Sequence, residues 1–149
     1  MIRDRDAIIR EVTVHRVGGG ISDWLLVTLS TEAGVVGVGD ATLEGQTAAV
    51  EAVIDTLRDR LVGCSAFGIA EFTASVLDKT FWRGGPVLMS ALGGLEIAMW
   101  DVVGKLLDQP IHRLFGGACR TSIRAYANGW YRSIDRPKQF ADEARAVVA

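Results

Sequence analysis

The first forty residues mix β-branched residues with alternating polar residues, a pattern that indicates β-strands. The first strand is marked by Ile9, Val12, Val14 and Val17. The triple glycine Gly18–Gly20 ends this strand and predicts a loop. The stretch "WLLVTLSTEAGVVGVGDA" then predicts two strands around a turn in which Gly34 suits a positive φ. The three segments together predict an antiparallel meander.

Beyond residue 46 the apolar positions recur every three or four residues, which is the period of an α-helix. The stretch "QTAAVEAVIDTLRDRLVG" predicts a helix that Gly63 ends. Ile69, Phe72 and Val76 predict a second helix that ends near Phe81. With the helix that follows, they predict a helical bundle on which the three-stranded sheet packs.

The third predicted helix begins near Pro86 and is apolar around most of its circumference. Met89, Ile97 and Trp100 make a second side apolar, so we expect this helix to be buried on more than one face. Pro110 stops the helix, and "IHRLFGG" predicts a short helical turn that two glycines close.

The last thirty residues predict a strand followed by a helix. The strand runs from about Ser122 to Ala127, and Asp135 is a candidate N-cap for the helix in "DRPKQFADEARAVVA". One βα unit cannot form a parallel sheet by itself, so we expect the sequence to stop inside a second domain. The fold class is therefore α+β, with a first domain at 1–120 and the first βα unit of a parallel sheet at 121–149.

The composition and charge of the chain argue against several classes of function. The chain has 149 residues, 49% of them hydrophobic, so we expect a further domain or other subunits to cover apolar surface. A net charge of −2 with scattered basic residues argues against binding to nucleic acid or to an anionic membrane. Cys64 and Cys119 lack metal-ligand spacing and predict reduced thiols in a cytoplasmic protein. Three charges interrupt the most apolar window, which argues against a membrane span.

Two carboxylates, Glu96 and Asp101, lie within that apolar helix. A step of five residues turns an α-helix by about 500°, so their side chains point roughly 140° apart and cannot converge on one substrate. Asp101 has Lys105 four residues on, the spacing at which opposite charges meet on a helix. A structural role is therefore predicted for both carboxylates.

Three other motifs have structural as well as functional interpretations. The stretch "GVGDATLEG" is similar to a dinucleotide fingerprint, but its glycine spacing and the hairpin before it argue against that function. His15 and His112 have no carboxylate or cysteine at ligand spacing, so surface or packing roles are expected. The stretch "FWRGGP" could bind an anion through its arginine or simply join two helices, and the sequence leaves both open.

Three stretches together resemble the mandelate racemase and muconate lactonizing branch of the enolase superfamily. They are "GVVGVGDATLEG", "FWRGGPVLMSALGGLEIAMWDVVGKLLDQPIHRLFGG" and "IRAYANGW". The most specific feature is the order of helix, D-x-x-G-K, proline and Leu-Phe-Gly-Gly in the second stretch. Within this branch, "RGGPVLMSA" is most similar to sugar-acid dehydratases of the galactonate dehydratase type.

The resemblance implies a capping domain at 1–120 and, from 121–149 onward, a (β/α) barrel whose strand ends hold the active site. It also implies removal of the proton α to a substrate carboxylate, with Mg²⁺ stabilising the enediolate. In the family the metal ligands and acid–base groups belong to later barrel strands. No catalytic or metal-binding residue is therefore expected in this chain, which alone is predicted to be inactive. The expected partners are the remainder of its own barrel, a small sugar acid and further copies in a homo-oligomer.

In this family, capping-domain loops close over the barrel mouth and help to select the substrate. The substrate-binding residues expected on this basis are Gly20, Ile21, Ser22, Asp23, Leu43, Glu44, Trp82, Arg83, Asn128 and Trp130. The last two come after the first barrel strand, on the side where barrel enzymes place their sites. The leading hypothesis is the N-terminal part of a Mg²⁺-dependent sugar-acid dehydratase. A racemase, epimerase or cycloisomerase on the same scaffold, or a non-catalytic binding or assembly module, stays open.

Overall fold

The computed structural model describes residues 3–18, 23–79, 81–131 and 136–148. The chain divides into two compact units, residues 1–117 and residues 118–149. Among the described residues, the first unit holds a sheet and four α-helices, and the second holds one α-helix. Each unit is described by itself.

The sheet of the first unit has three antiparallel strands in the order β1 (Ile9–Gly18), β2 (Asp23–Thr31) and β3 (Val36–Asp40). In the register, Val14 lies opposite Val27, and Leu29 lies opposite Gly37. The turn between β2 and β3 contains Gly34 at φ 79°, and its N–H donates to the carbonyl of Thr31 at 2.9 Å. The predicted meander and its glycine turn are confirmed.

Four helices come after the sheet in the first unit: α1 (Thr47–Leu61), α2 (Ile69–Asp78), α3 (Pro86–Leu107) and α4 (Ile111–Leu114). Gly63, at φ 86°, lies just beyond α1 as predicted. The second helix ends at Asp78, three residues earlier than the sequence pattern indicated. Asp108, in the left-handed conformation, ends α3 two residues before the proline and donates its N–H to the carbonyls of residues 104 and 105.

The third helix lies at the centre of the first unit. Its buried residues are Ala91, Leu92, Gly94, Leu95, Ala98, Met99, Val102, Val103 and Gly104. Met89 and Ile97, however, are 44% and 51% exposed, and Trp100 is half-buried. The prediction of burial on a second face is therefore wrong for Met89 and Ile97, because no described element covers these two side chains. By length and apolar composition alone α3 could cross a membrane, but half of that window is core of this unit.

Backbone-to-backbone packing of β3 on α3 explains the glycine pair in "GVGD". A Cβ on Gly39 would lie 1.9 Å from the carbonyl oxygen of Gly94, and one on Gly37 would lie 2.2 Å from that of Ala98. From the helix side, a Cβ on Gly94 would lie 2.5 Å from the Cβ of Ala41. These glycines let a strand and a helix touch through their main chains, so their role here is packing.

The charged pair Asp101 and Lys105 covers the free edge of β3. An Asp101 carboxylate oxygen accepts hydrogen bonds from the N–H of Val38 at 2.8 Å and from the Lys105 ammonium at 2.7 Å. The same ammonium donates to the carbonyl of Val36 at 2.7 Å. An edge strand carries unpaired main-chain groups, and two of them are satisfied here by α3 side chains. The structural role predicted for Asp101 is confirmed.

The second unit contains α5 (Pro137–Val148), where the sequence predicted a helix. The segment Ser122–Ala127 forms no strand, and all of its residues are exposed. This corrects the strand prediction: a strand needs a hydrogen-bonded neighbour, and the described residues of this unit supply none. The candidate N-cap Asp135 lies outside the described residues.

Two adjacent glycines of α3 test the strand–helix packing, because only one of them faces the strand. We expect Gly94→Ala to lower the free energy of unfolding by about 1–3 kcal/mol, the usual cost of overpacking a core. A Cβ on Gly93 would meet nothing within 4 Å. We therefore expect Gly93→Ala to raise stability by about 0.5–1 kcal/mol through helix propensity. Urea unfolding measures both, and equal effects of the two variants would contradict the packing.

The hydrogen bond between Asp101 and the edge of β3 leads to a separate prediction. Asp101→Ala leaves the Val38 N–H without its partner, so we expect a loss of about 1–2 kcal/mol. The matched control is Asp55, whose exposed carboxylate pairs among the described residues with the partly exposed Arg58, 2.7 Å away on α1. Asp55→Ala should cost less than about 0.5 kcal/mol, as exposed ion pairs do. The interpretation fails if thermal unfolding shows the same loss for both variants.

Candidate functional site

The predicted substrate residues of the first unit centre on one end of the sheet. There β1 ends at Gly18, which lies opposite Asp23 at the start of β2. Asp23 is exposed and makes no ion pair with the described residues. Gly20, Ile21 and Ser22 lie outside the described residues. At the same end β3 leaves the sheet at Asp40, and its connection to α1 carries the next two candidates.

Hydrogen bonds tie this connection to the start of β2. The N–H of Ala41 donates to the carbonyl of Leu25 at 2.8 Å. In return the N–H of Leu25 donates to the hydroxyl oxygen of Thr42 at 3.0 Å, a partly buried contact. Leu25 is two residues from Asp23, so the Thr42 hydroxyl links the two segments that were predicted to contact substrate. Thr42 itself is not among the residues predicted from sequence.

The rest of the connection is folded on itself. The Asp40 carboxylate accepts from the N–H of Thr42 at 2.8 Å, the local turn that aspartate favours after a strand. Gln46 donates its N–H to the carbonyl of Leu43 at 3.0 Å, and Gly45 has φ 71°. The Leu43 side chain packs against the core. Of the two candidates, Leu43 therefore anchors the connection, whereas its neighbour in sequence is exposed.

That neighbour, Glu44, carries an exposed carboxylate. It makes no hydrogen bond or ion pair with the described residues and is exposed beside the start of α1. An ion pair between Arg16 and Glu51 joins the end of β1 to α1 on the same side of the unit. The ends of three strands and the start of one helix are thus held together. Asp23, Asp40 and Glu44 are exposed there, and the Asp40 carboxylate is engaged in the local turn.

Trp82 and Arg83 lie elsewhere in the first unit, in the connection between α2 and α3. Gly84 and Gly85, at φ 79° and 86°, turn the chain there before Pro86 starts the helix. Trp82 is 83% exposed. Among the described residues, no hydrogen bond or ion pair joins this connection to residues 41–46. Trp82 and Arg83 therefore have no polar contact with the other candidates among the described residues.

Asn128 and Trp130 belong to the second unit. The Asn128 side-chain oxygen accepts from the N–H of Gly129 at 2.9 Å and from the Tyr131 hydroxyl at 3.2 Å. The Trp130 ring packs edge-on against Phe140 of α5, with ring centroids 5.6 Å apart. Both candidates therefore have local partners within their own unit.

The described residues contain no cluster of side chains suited to a metal ion. They contain no group of three or more His, Cys, Asp or Glu side chains that could hold a metal ion. A hydrogen bond from the Arg3 backbone N–H lowers the pKa of Asp6, which lies in the turn before β1 and not among the candidates. His15 is exposed and its ring nitrogen contacts the Thr28 hydroxyl at 3.0 Å, which agrees with the surface role expected for it.

Known proteins resemble this chain in sequence and in structure. The family model described as mandelate racemase / muconate lactonizing enzyme, N-terminal domain, matches residues 9–116. A solved enolase from Pantoea ananatis with bound D-gluconate and Mg is 35% identical, with a TM-score of 0.71 over 76% of this chain and 28% of that one. A protein from Mesorhizobium loti named as a dehydratase is 34% identical, with a TM-score of 0.88 over 95% of this chain and 38% of that one.

A third solved structure, of a protein from Zymomonas mobilis ZM4 named as a dehydratase, is 28% identical with a TM-score of 0.88. It is matched over 95% of this chain and 39% of its own length, so the chain spans well under half of these solved proteins. The family model covers most of the chain, including the sheet, the glycine pair and the D-x-x-G-K segment. The chain therefore belongs to the mandelate racemase / muconate lactonizing enzyme family of the enolase superfamily, and it contains the N-terminal domain of that family.

Proposed function

We propose that this chain is the capping part of a Mg²⁺-dependent enzyme that dehydrates a sugar acid. The observation that supports this most is the 35% identical enolase that was solved with D-gluconate and Mg, because gluconate is a sugar acid. Two further relatives named as dehydratases point to the same reaction class. In this proposal the protein is cytoplasmic and acts as a homo-oligomer.

In this proposal the reaction needs a metal ion and proton-transfer groups that this chain does not supply by itself. The proton α to a carboxylate is only weakly acidic, so the enediolate must be met by positive charge as it forms, and bound Mg²⁺ supplies such charge. The described residues do not fit a magnesium site, since their carboxylates do not converge. The proposal therefore assigns metal binding and proton transfer to residues outside these 149, and assigns substrate contact and water exclusion to this chain.

The negative charge of the capping residues determines which end of the substrate they contact in this proposal. Asp23 and Glu44 are exposed carboxylates without ion pairs among the described residues. They repel the carboxylate of a sugar acid but accept hydrogen bonds from its hydroxyl groups. In the proposal the end of the sheet that carries them therefore faces the hydroxylated end of the substrate, away from the reacting carbon. Such contacts distinguish one sugar acid from another.

This assignment of roles can be tested by comparing the 149-residue chain with the longer protein that carries it. The 149-residue chain alone should show no tight Mg²⁺ binding by calorimetry and no dehydration of D-gluconate or D-galactonate. The longer protein that carries it should dehydrate at least one sugar acid, and chelation with EDTA should abolish that activity. Turnover or micromolar Mg²⁺ binding by the chain alone would refute the assignment. Absence of Mg²⁺-dependent dehydration in the longer protein would refute the proposed function.

A more specific prediction concerns the Thr42 hydroxyl, because it links the start of β2 to the connection between β3 and α1. In the longer protein, Thr42→Val removes the acceptor for the Leu25 N–H, a contact of about 1 kcal/mol. We expect this variant to change the ratio of kcat/KM between two sugar acids by about fivefold, with little change in Tm. Thr42→Ser keeps the acceptor and should behave like the unmodified enzyme. Equal loss on every substrate, in step with lost folding, would show that Thr42 serves stability alone.

A further inference from the structure

The ion pair between Arg16 and Glu51 has no role in the proposed function, although it lies at the end of the sheet assigned to substrate contact. Arg16 Nε donates to Glu51 Oε2 at 2.7 Å, and Nη2 donates to the same oxygen. Arg16 lies opposite Leu25 in the sheet, and the N–H of Leu25 donates to the Thr42 hydroxyl. Arg16 therefore belongs to the same row of residues as the link between β2 and the connection to α1.

Negative charges outnumber positive charges at this end of the sheet. It is formed by residues 16–25 and 40–51, in which Arg16 is the only lysine or arginine. The same stretches contain four carboxylates, those of Asp23, Asp40, Glu44 and Glu51. Because Glu51 binds the guanidinium, the single positive charge of these stretches is neutralised and a net negative charge remains.

The charge at this end matters because sugar acids fall into two charge classes. One class carries a single carboxylate and ends in a neutral hydroxymethyl group, whereas the other carries a carboxylate at each end. A carboxylate side chain accepts a hydrogen bond from the neutral hydroxyl group, but it repels a second substrate carboxylate. A guanidinium has the opposite effect, because it donates two parallel hydrogen bonds to a carboxylate. The position of the Arg16 guanidinium therefore bears on which class is accepted.

We propose that Glu51 is a positioning residue that determines the substrate class through Arg16. By holding the guanidinium on α1, Glu51 keeps it from the end of the substrate that Asp23 and Glu44 contact. The site then accepts sugar acids with one carboxylate and rejects those with a carboxylate at each end. This inference rests on the proposed function, to which it adds the charge class of the substrate.

A purely structural role of the ion pair predicts different results from a role in specificity. The Arg16 side chain is 51% exposed and the Glu51 side chain is 28% exposed. Ion pairs this open to water contribute little to stability. We therefore expect every variant of the pair to fold with nearly the Tm of the wild type, so that substrate preference can be measured separately from folding.

The experiment compares kcat/KM of the longer protein on D-gluconate and D-galactonate, which have one carboxylate, with kcat/KM on D-glucarate and galactarate, which have two. The wild type should prefer the acids with one carboxylate by at least about a hundredfold, since juxtaposed like charges are costly. Glu51→Gln keeps the length of the side chain but removes the charge that holds Arg16. We expect it to reduce this preference by about tenfold or more, through a higher kcat/KM on the acids with two carboxylates.

The double variant, Arg16→Gln with Glu51→Gln, separates the effect of charge from that of folding. It lacks the released guanidinium and has the same net charge at this end as the wild type, so the preference should return to within about threefold of wild type. A role in stability alone predicts no such return, since the double variant still lacks the ion pair. Asp55→Asn is the matched control, because Asp55 lies one turn further along α1 and pairs with Arg58. It should leave the preference unchanged.

Three results would overturn the role of Glu51 while leaving the dehydratase function intact. They are a wild type that dehydrates both classes of acid equally well, a preference that Glu51→Gln does not change, and a double variant no different from Glu51→Gln. Failure of the longer protein to dehydrate any of the four acids in the presence of Mg²⁺ would refute the proposed function, and the role of Glu51 with it.

Discussion

The direct contact between the β3 main chain and the α3 main chain is the constraint on which the first unit depends. Gly37, Gly39 and Gly94 remove the side chains that would separate the two elements. Because the helix lies so close, residues in the second half of α3 can reach the outer edge of the same strand. Asp101 and Lys105 do so and bind its main-chain groups. The position of the strand is thus fixed from its face and from its edge.

The position of β3 also determines the position of the connection between β3 and α1. The strand ends at Asp40, and the connection is tied back to β2 through Ala41 and Thr42. The end of the sheet near Asp23, with the connection that carries Glu44, is therefore supported by the close contact of β3 with α3. A substrate-contacting surface benefits from such support, because a contact that distinguishes similar hydroxyl patterns has to be held in place.

Periodicity predicted the elements of the first unit well, because one-sided burial leaves a clear pattern in sequence. Period and glycine placement indicated the meander, four helices and the turn at Gly34. They did not reveal why "GVGD" needs two glycines, since the partner, Gly94, lies fifty-five residues away from Gly39 along the chain. Thr42 was missed for the same reason: its acceptor role depends on the register of β2. The segment Ser122–Ala127 was misassigned because strand propensity is local whereas strand pairing is not.

The Asp101–Lys105 pair has a consequence for how the sheet can meet other chains. A strand added to an edge needs free N–H and C=O groups, and α3 side chains already occupy those of Val38 and Val36. The opposite edge is engaged near Ile9, which bonds to the carbonyl of Cys64 and to the N–H of Gly63. Addition of a strand at the β3 edge therefore requires Asp101 and Lys105 first to break these hydrogen bonds, so the two side chains oppose intermolecular β-pairing at this edge.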